Sequence, residues 1–201
     1  MIFNRKRKTK NPCPGCGLHL SLCICELIPN LNLKTRVCLV IHQRELKRTT
    51  NTGKLIVKSL VNSEMRIRGE LHKQPLDLSD LLTPMYRTIL FFPSTDAIEL
   101  TNEFVKQSAL PIQLIVPDGN WRQASKVCSR QPELKNIVRV KLSTPNSSSQ
   151  HLRSEHFSEG MATLQAVAQA LEIIEGPTVS EPLIKLYQAK LKNTLVGRGK
   201  L

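Results

Sequence analysis

Acidic residues are in short supply. The 201 residues hold 16 Asp and Glu against 29 Lys and Arg, which leaves a formal charge of +13 with histidine neutral and a pI near 9.8. Long apolar runs are missing as well, since none approaches the roughly 20 residues needed to cross a bilayer. Behind the basic cluster MIFNRKRKTKNP there is no apolar stretch with a small-residue cleavage site, so no secretory signal is expected and the cytoplasm is the expected compartment. Internal repeats are lacking, and the one low-complexity patch is a Ser/Pro/Asn loop at 144–150. With 40% hydrophobic and 22% charged residues there is material for a sizeable core, and disorder does not account for the charge. The length fits one compact domain with at most a small appendage. The surplus charge therefore sits on a folded surface, where it attracts polyanions such as nucleic acids or anionic lipid.

Disulfides are not expected in a reducing compartment, and the spacing of four of the six cysteines suggests another use. They run Cys13-x2-Cys16-x6-Cys23-x-Cys25. Thiolates suit tetrahedral zinc, and a Cys-x2-Cys arm turns back so that two sulfurs meet one ion. Pro14, Gly15 and Gly17 fit that turn. The Cys-x-Cys arm is tighter than a usual zinc ribbon, and His19, between the arms, is an alternative ligand. A redox pair and plain packing cysteines are the competing readings. A closed structural zinc site would fold a segment too small for its own core and hold the basic arm Arg5, Lys6, Arg7, Lys8 and Lys10 in place. The division expected is a basic arm and zinc-binding segment over 1–30 and a catalytic domain over 31–201. Cys38 and Cys128 read as buried small residues.

Beyond the cysteines, short apolar runs alternate with amphipathic stretches, the pattern of an α/β fold with helices on both faces of a mostly parallel sheet. Strands are expected over 37–41, 64–68, 88–92, 112–116 and 137–142, and helices over 52–61, 95–106, 120–129, 161–174 and 181–195. The last helix is expected to open near Pro182 and to carry Lys185, Lys190 and Lys192. Sites in such proteins collect where strands end. Three ends stand out: His42-Gln43-Arg44-Glu45 leading to Asn51-Thr52-Gly53; Phe92-Pro93-Ser94-Thr95; and Pro117-Asp118-Gly119-Asn120-Trp121, which holds the only tryptophan. Asp118 alone is also readable as a helix cap, His42 as a satisfied strand-end histidine, and Trp121 as core.

These segments together resemble the DTW-domain proteins, tRNA-uridine aminocarboxypropyltransferases related to the SPOUT class. Cys13 to Cys25 is similar to the family's zinc motif, and His42, Glu45 and Asn51-Thr52-Gly53 to its His-Pro-x-Glu and Asn-Thr-Gly segment. Phe92-Pro93-Ser94 resembles its Phe-Pro-Ser strand end, and Asp118-Gly119-Asn120-Trp121 its Asp-x-Thr-Trp motif. Leu152-Arg153 leading to Ala162-Thr163-Leu164-Gln165-Ala166 is similar to its Leu-Arg and Ser-Thr-x-Glu-Ala segment. Gln43, Asn120, Ala162 and Gln165 depart from the family's Pro, Thr, Ser and Glu.

The resemblance implies transfer of the 3-amino-3-carboxypropyl group of S-adenosylmethionine to N3 of a tRNA uridine, with methylthioadenosine released. Ionising an imide N–H with a pKa near 10 at neutral pH costs about 4 kcal/mol, so a carboxylate within reach is needed, and Asp118 is the expected base. It also implies a C-terminal knot holding the donor in loops at 92–95, 117–121 and 142–146. The expected donor-binding residues are Pro93, Ser94, Pro117, Gly119, Asn120, Trp121 and Arg153. Trp121 could stack on the uracil or on the adenine. Arg153 could grip the donor's carboxylate or an RNA phosphate. His42, Asn51 and Gly53 are expected to shape the substrate side. Two other readings compete, a zinc-containing RNA-binding paralogue that has lost the activity and a methyltransferase using the same donor. Neither a membrane nor an obligatory protein partner is implied.

Overall fold

The computed structural model describes residues 9–70, 74–143, 152 and 160–200. Among these residues, besides short 3-10 turns, six strands and six α-helices follow in chain order: β1 (Arg36–His42), α1 (Gln43–Leu46), α2 (Gly53–Ser59), β2 (Ser63–Arg68), β3 (Arg87–Phe91), β4 (Ile98–Glu99), α3 (Asn102–Lys106), β5 (Ile112–Asp118), α4 (Trp121–Arg130), β6 (Arg139–Lys141), α5 (Thr163–Glu175) and α6 (Pro177–Val196). The strands form one sheet in the order β2-β1-β5-β3-β6-β4, and every pairing is parallel. Parallel strands need crossovers that cover the sheet, so the inner strands are buried on both sides.

Alternation along the strands sorts the core into two layers. Val37, Leu39 and Ile41 of β1, with Leu114 and Val116 of β5, face a layer that contains Leu55 and Ile56 of α2, Leu164, Val167 and Leu171 of α5, and Leu183 and Leu186 of α6. Cys38, Val40, Leu90 and Ile115 face the opposite way, onto Ala124, Val127 and Cys128 of α4 and onto Leu78, Leu81 and Leu134. Helices thus cover both faces, and Cys38 and Cys128 are buried as expected. Cys13, Cys16, Leu18 and Ile24 belong to the first layer, so the cysteine segment packs on the same core as β1.

Two helices differ from the sequence expectation. The stretch 95–106 is not one helix: Ile98 and Glu99 pair with Val140 and Lys141 as a short outer strand, and the Thr101 hydroxyl accepts the Phe104 N–H to start α3 only at Asn102. A β-branched residue beside an open sheet edge and a strong N-cap three residues on outweigh the helical pattern. The last helix begins at Pro177, whose missing N–H costs nothing in a first turn, and Pro182 lies inside it. Of its lysines, Lys190 is fully buried instead of facing solvent, with Nζ donating to the Cys16 carbonyl at 2.6 Å.

Candidate active site and cysteine cluster

The carboxyl ends of β3, β4, β5 and β6 converge with the segment before α2 and the start of α5 around a cavity of about 1250 Å³. Asp118, the last residue of β5, stands in its wall, 3% exposed. Asn51 donates from Nδ2 to Asp118 Oδ2 at 2.5 Å, and the Thr163 hydroxyl donates to Oδ1. Each carboxylate oxygen has a second lone pair, so these bonds leave capacity to accept another proton.

The three residues Asn51-Thr52-Gly53 each do something different. Asn51 also accepts the Lys54 N–H on its Oδ1 at 3.2 Å, which ties the Asp118 contact to the first turn of α2. Thr52 accepts the Leu164 N–H on its hydroxyl at 3.1 Å and so caps α5 from another element. Gly53 is required for space, since a Cβ there would stand 2.8 Å from Asp118 Oδ2 and from a Leu39 methyl. The loop before them is fixed by Glu45, fully buried, whose carboxylate meets the Arg48 guanidinium at 3.1 Å.

Past Asp118 the chain turns through Gly119, with φ +151°, into α4. Asn120 is the N-cap: its Oδ1 accepts the Gln123 N–H at 2.9 Å while Gln123 Oε1 accepts the Asn120 N–H at 2.8 Å. Asparagine and threonine both cap well, so this departure from the family motif keeps the local job of the residue. Trp121 is not core. It is 51% exposed at the cavity rim, its ring 5.1 Å from that of Phe92 and tilted 38° to it.

Of the expected donor-binding residues, Pro93, Ser94, Pro117, Gly119, Asn120 and Trp121 all line this cavity. Arg153 lies outside the described residues. Asn51 lines the cavity and Gly53 packs beneath Asp118, whereas His42 faces a different cleft beside Arg68 and Arg44. Sequence reasoning missed Tyr187, Arg198 and Thr163. Tyr187 and Arg198 come from α6 and the turn after it, and no local pattern in the sequence marks them as cavity residues. Thr163 sits inside a motif that was noticed, but its bond to Asp118 spans 45 residues.

Cys13, Cys16, Cys23 and Cys25 bring their four Sγ atoms within 4.8 Å of one another, and none forms a disulfide. Sulfur separations of 3.5 Å for Cys13–Cys25, 3.4 Å for Cys13–Cys23 and 3.9 Å for Cys16–Cys23 lie close to the edge of a tetrahedron with metal–sulfur bonds of about 2.3 Å, which is about 3.8 Å. Gly15 leaves room for this, because a Cβ there would meet Cys25 Sγ at 2.4 Å. The Cys16 N–H and the Cys23 thiol pull Cys13 down to about 6, whereas burial and neighbouring sulfurs push Cys25 up to about 12. All four cannot ionise together unaided, and a divalent cation is what would allow it. His19 is not among them, its Nδ1 lying 2.7 Å from the Ser21 hydroxyl.

The family model of the DTW domain matches residues 10–195. The chain is 27% identical over 198 residues to tRNA-uridine aminocarboxypropyltransferase 2 of Drosophila melanogaster, covering 93% of this chain and 78% of that protein. It is 26% identical to tRNA-uridine aminocarboxypropyltransferase A of Arabidopsis thaliana, with 94% and 85% covered. For the mouse protein named tRNA-uridine aminocarboxypropyltransferase 2 the identity is 24%, and the match spans 61% of that protein's length. Among solved structures, the SAM-dependent rRNA:acp-transferase Tsr3 from Vulcanisaeta distributa superposes with a TM-score of 0.50 at 15% identity, over 82% of this chain and 79% of that one, which speaks for the fold.

Proposed function

Since the chain belongs to the DTW-domain family, we propose that it is a tRNA-uridine aminocarboxypropyltransferase, taking its 3-amino-3-carboxypropyl group from S-adenosylmethionine. The observation that carries this reading is Asp118, gripped from both sides by Asn51 and Thr163 in the wall of a cavity that also bears an exposed tryptophan.

In this reading the uridine N3–H points at Asp118. The carboxylate accepts that proton as the bond from N3 to the donor's γ-carbon forms and the sulfonium–carbon bond breaks, releasing neutral methylthioadenosine. The sulfonium supplies the leaving group, so the residues mainly orient the partners and take the proton. Asn51 and Thr163 hold the carboxylate in one rotamer, and Trp121 with Phe92 offers a flat apolar rim for uracil or adenine. Pro93, Ser94, Pro117, Gly119, Asn120 and Trp121 are assigned to the donor, with Arg153 for its carboxylate. A SPOUT-like knot would involve the loops at 92–95, 117–121 and 142–146, of which 144–146 lie outside the described residues. Zinc on Cys13, Cys16, Cys23 and Cys25 would be structural. We assign 1–30 to a basic arm, of which residues 1–8 lie outside the described residues, and a zinc-binding segment, and 31–201 to the catalytic domain. A cytoplasmic location suits four reduced thiols; no helix among the described residues is long and apolar enough to cross a membrane.

Undermodified tRNA incubated with the protein and S-adenosylmethionine, then digested to nucleosides for mass spectrometry, is expected to show uridine heavier by one aminocarboxypropyl group. A methyl gain would mark a methyltransferase, and binding without product a paralogue that has lost the chemistry. Asp118→Asn should lower turnover by about 10²- to 10⁴-fold with donor binding retained. Full turnover in that variant would remove Asp118 from the role of base.

A further inference from the structure

A second cleft, of about 1110 Å³, lies between α4 and the carboxyl ends of β1 and β2. Asn120 lines both this cleft and the Asp118 cavity, so the two adjoin at the turn from β5 into α4. Five cations line it: Arg44, Arg68, Arg122, Lys126 and Arg130. Arg44, Arg122 and Arg130 are exposed, and Arg68 and Lys126 half-buried.

The cations of this cleft differ from Arg36, Arg48, Arg66 and Arg139. Arg36, Arg66 and Arg139 each form an ion pair, with Glu64, Asp80 and Asp96 respectively, and Arg48 pairs with Glu45. None of the five cleft cations does so among the described residues. Three acids share the lining, Glu70, Asp77 and Glu133, against the five cations; Asp77 accepts the Ser79 N–H at 2.8 Å, and Glu133 accepts the Leu78 N–H at 3.1 Å. Arg122, Lys126 and Arg130 recur every four residues along α4, a stripe of like charge with successive members about 6 Å apart along the axis. Such a stripe is unfavourable for an isolated helix, and here no acid at the same spacing offsets it. The field is felt by His42, whose protonation is disfavoured first by burial and then by Arg44, Arg68 and Lys126.

We propose that this cleft is the track for the sugar-phosphate backbone of the tRNA strand beside the target uridine, with the base passing over Asn120 into the Asp118 cavity. The proposal rests on the tRNA transferase reading above for the identity of the polyanion. Charge alone would also suit an acidic protein. The junction with a cavity of base-accommodating size favours RNA, because a nucleic acid strand carries its charges on one side and a detachable planar group on the other.

The test compares the full chain with Arg68→Ala, Lys126→Ala and Arg130→Ala, singly and combined, using an unmodified tRNA transcript. Each loss of a phosphate contact is expected to reduce the slope of log affinity against log salt by about 0.7 to 0.9, and the triple variant to bind at least tenfold more weakly at about 0.1 M salt. KM for tRNA should rise, with kcat and the calorimetric affinity for S-adenosylmethionine unchanged. Wild-type affinity and salt slope in the triple variant would overturn the track while leaving the transferase reading intact. Weakened RNA binding by the variants, with no product from wild-type protein, would support the track and defeat the transferase reading. Displacement of the transcript by polyglutamate at equal charge concentration would overturn RNA as the occupant. Should the triple variant fail to fold, Arg130→Gln, at an exposed position of α4, carries the same salt-slope measurement.

Discussion

At the scale of single residues, motif members that look alike in the sequence do unlike things. His42 opens the segment that ends in Asn51-Thr52-Gly53, yet it does not meet Asp118. Its Nδ1 accepts the Arg44 N–H at 3.2 Å and so caps α1, a bond that needs a neutral ring. Burial, then Arg44, Arg68 and Lys126, hold its proton affinity below the ordinary 6.5, against an opposing pull from Glu45. The sign of the consequence is fixed: on acidification the unfolded chain takes up this proton first. The contribution of His42 to stability is therefore present above about pH 6.5 and is lost as pH falls through its lower folded value. NMR titration should place the His42 midpoint below 6.5, and Arg68→Ala should move it upward by removing one cation. A wild-type midpoint at or above 6.5 would contradict the cationic environment.

At the scale of elements, α5 shows what a departure from a family motif costs. Positions 162 and 165 are the N-cap and N3 of this helix, so a Ser and a Glu there would make a capping box. Ala162 makes no side-chain cap bond; the Thr52 hydroxyl takes the Leu164 N–H instead. Gln165 does not line the Asp118 cavity but Ala162 does, so the departure at 162 both weakens a helix start and takes a hydroxyl from the cavity wall. The double change Ala162→Ser, Gln165→Glu should raise stability by about 1 kcal/mol, read as a higher urea midpoint at constant slope. A large gain in turnover without a gain in stability would instead place the hydroxyl in the chemistry. The inner strands were legible from sequence because burial on both faces leaves unbroken apolar runs such as Val37 to Ile41. The 95–106 stretch was not, because Ile98 and Glu99 become strand only through pairing with β6, more than 40 residues later. The α4 charge stripe was open to sequence reading through its four-residue spacing, but its cleft depends on Arg44 and Arg68 from other elements.

At the scale of the molecule, the amino-terminal cysteine segment and the carboxyl-terminal helix hold one another. Lys190 of α6 is buried with its Nζ on the Cys16 carbonyl, Asn193 donates to the Leu22 carbonyl at 3.1 Å, and Lys58 of α2 donates to the Gly15 carbonyl at 2.6 Å. Four thiolates around one divalent ion carry a net charge of about −2, which the ammonium groups of Lys190 and Lys58 would offset. Without metal the buried Lys190 ammonium keeps a carbonyl but loses that anionic neighbour, and an underpaired buried charge is strongly destabilising. The same helix supplies Tyr187 to the Asp118 cavity, so α6 joins the cysteine cluster to that cavity. Purified protein should hold one zinc, and stripping it with a chelator should lower the thermal midpoint on the order of 10 °C, as a loss of several kcal/mol does at this chain length. Hydrogen exchange should then open along the carboxyl-terminal half of α6 while β1 and β5 stay protected. Protein that contains no zinc yet folds normally would defeat the metal reading, and zinc removal that leaves α6 protected would break the link between its two ends.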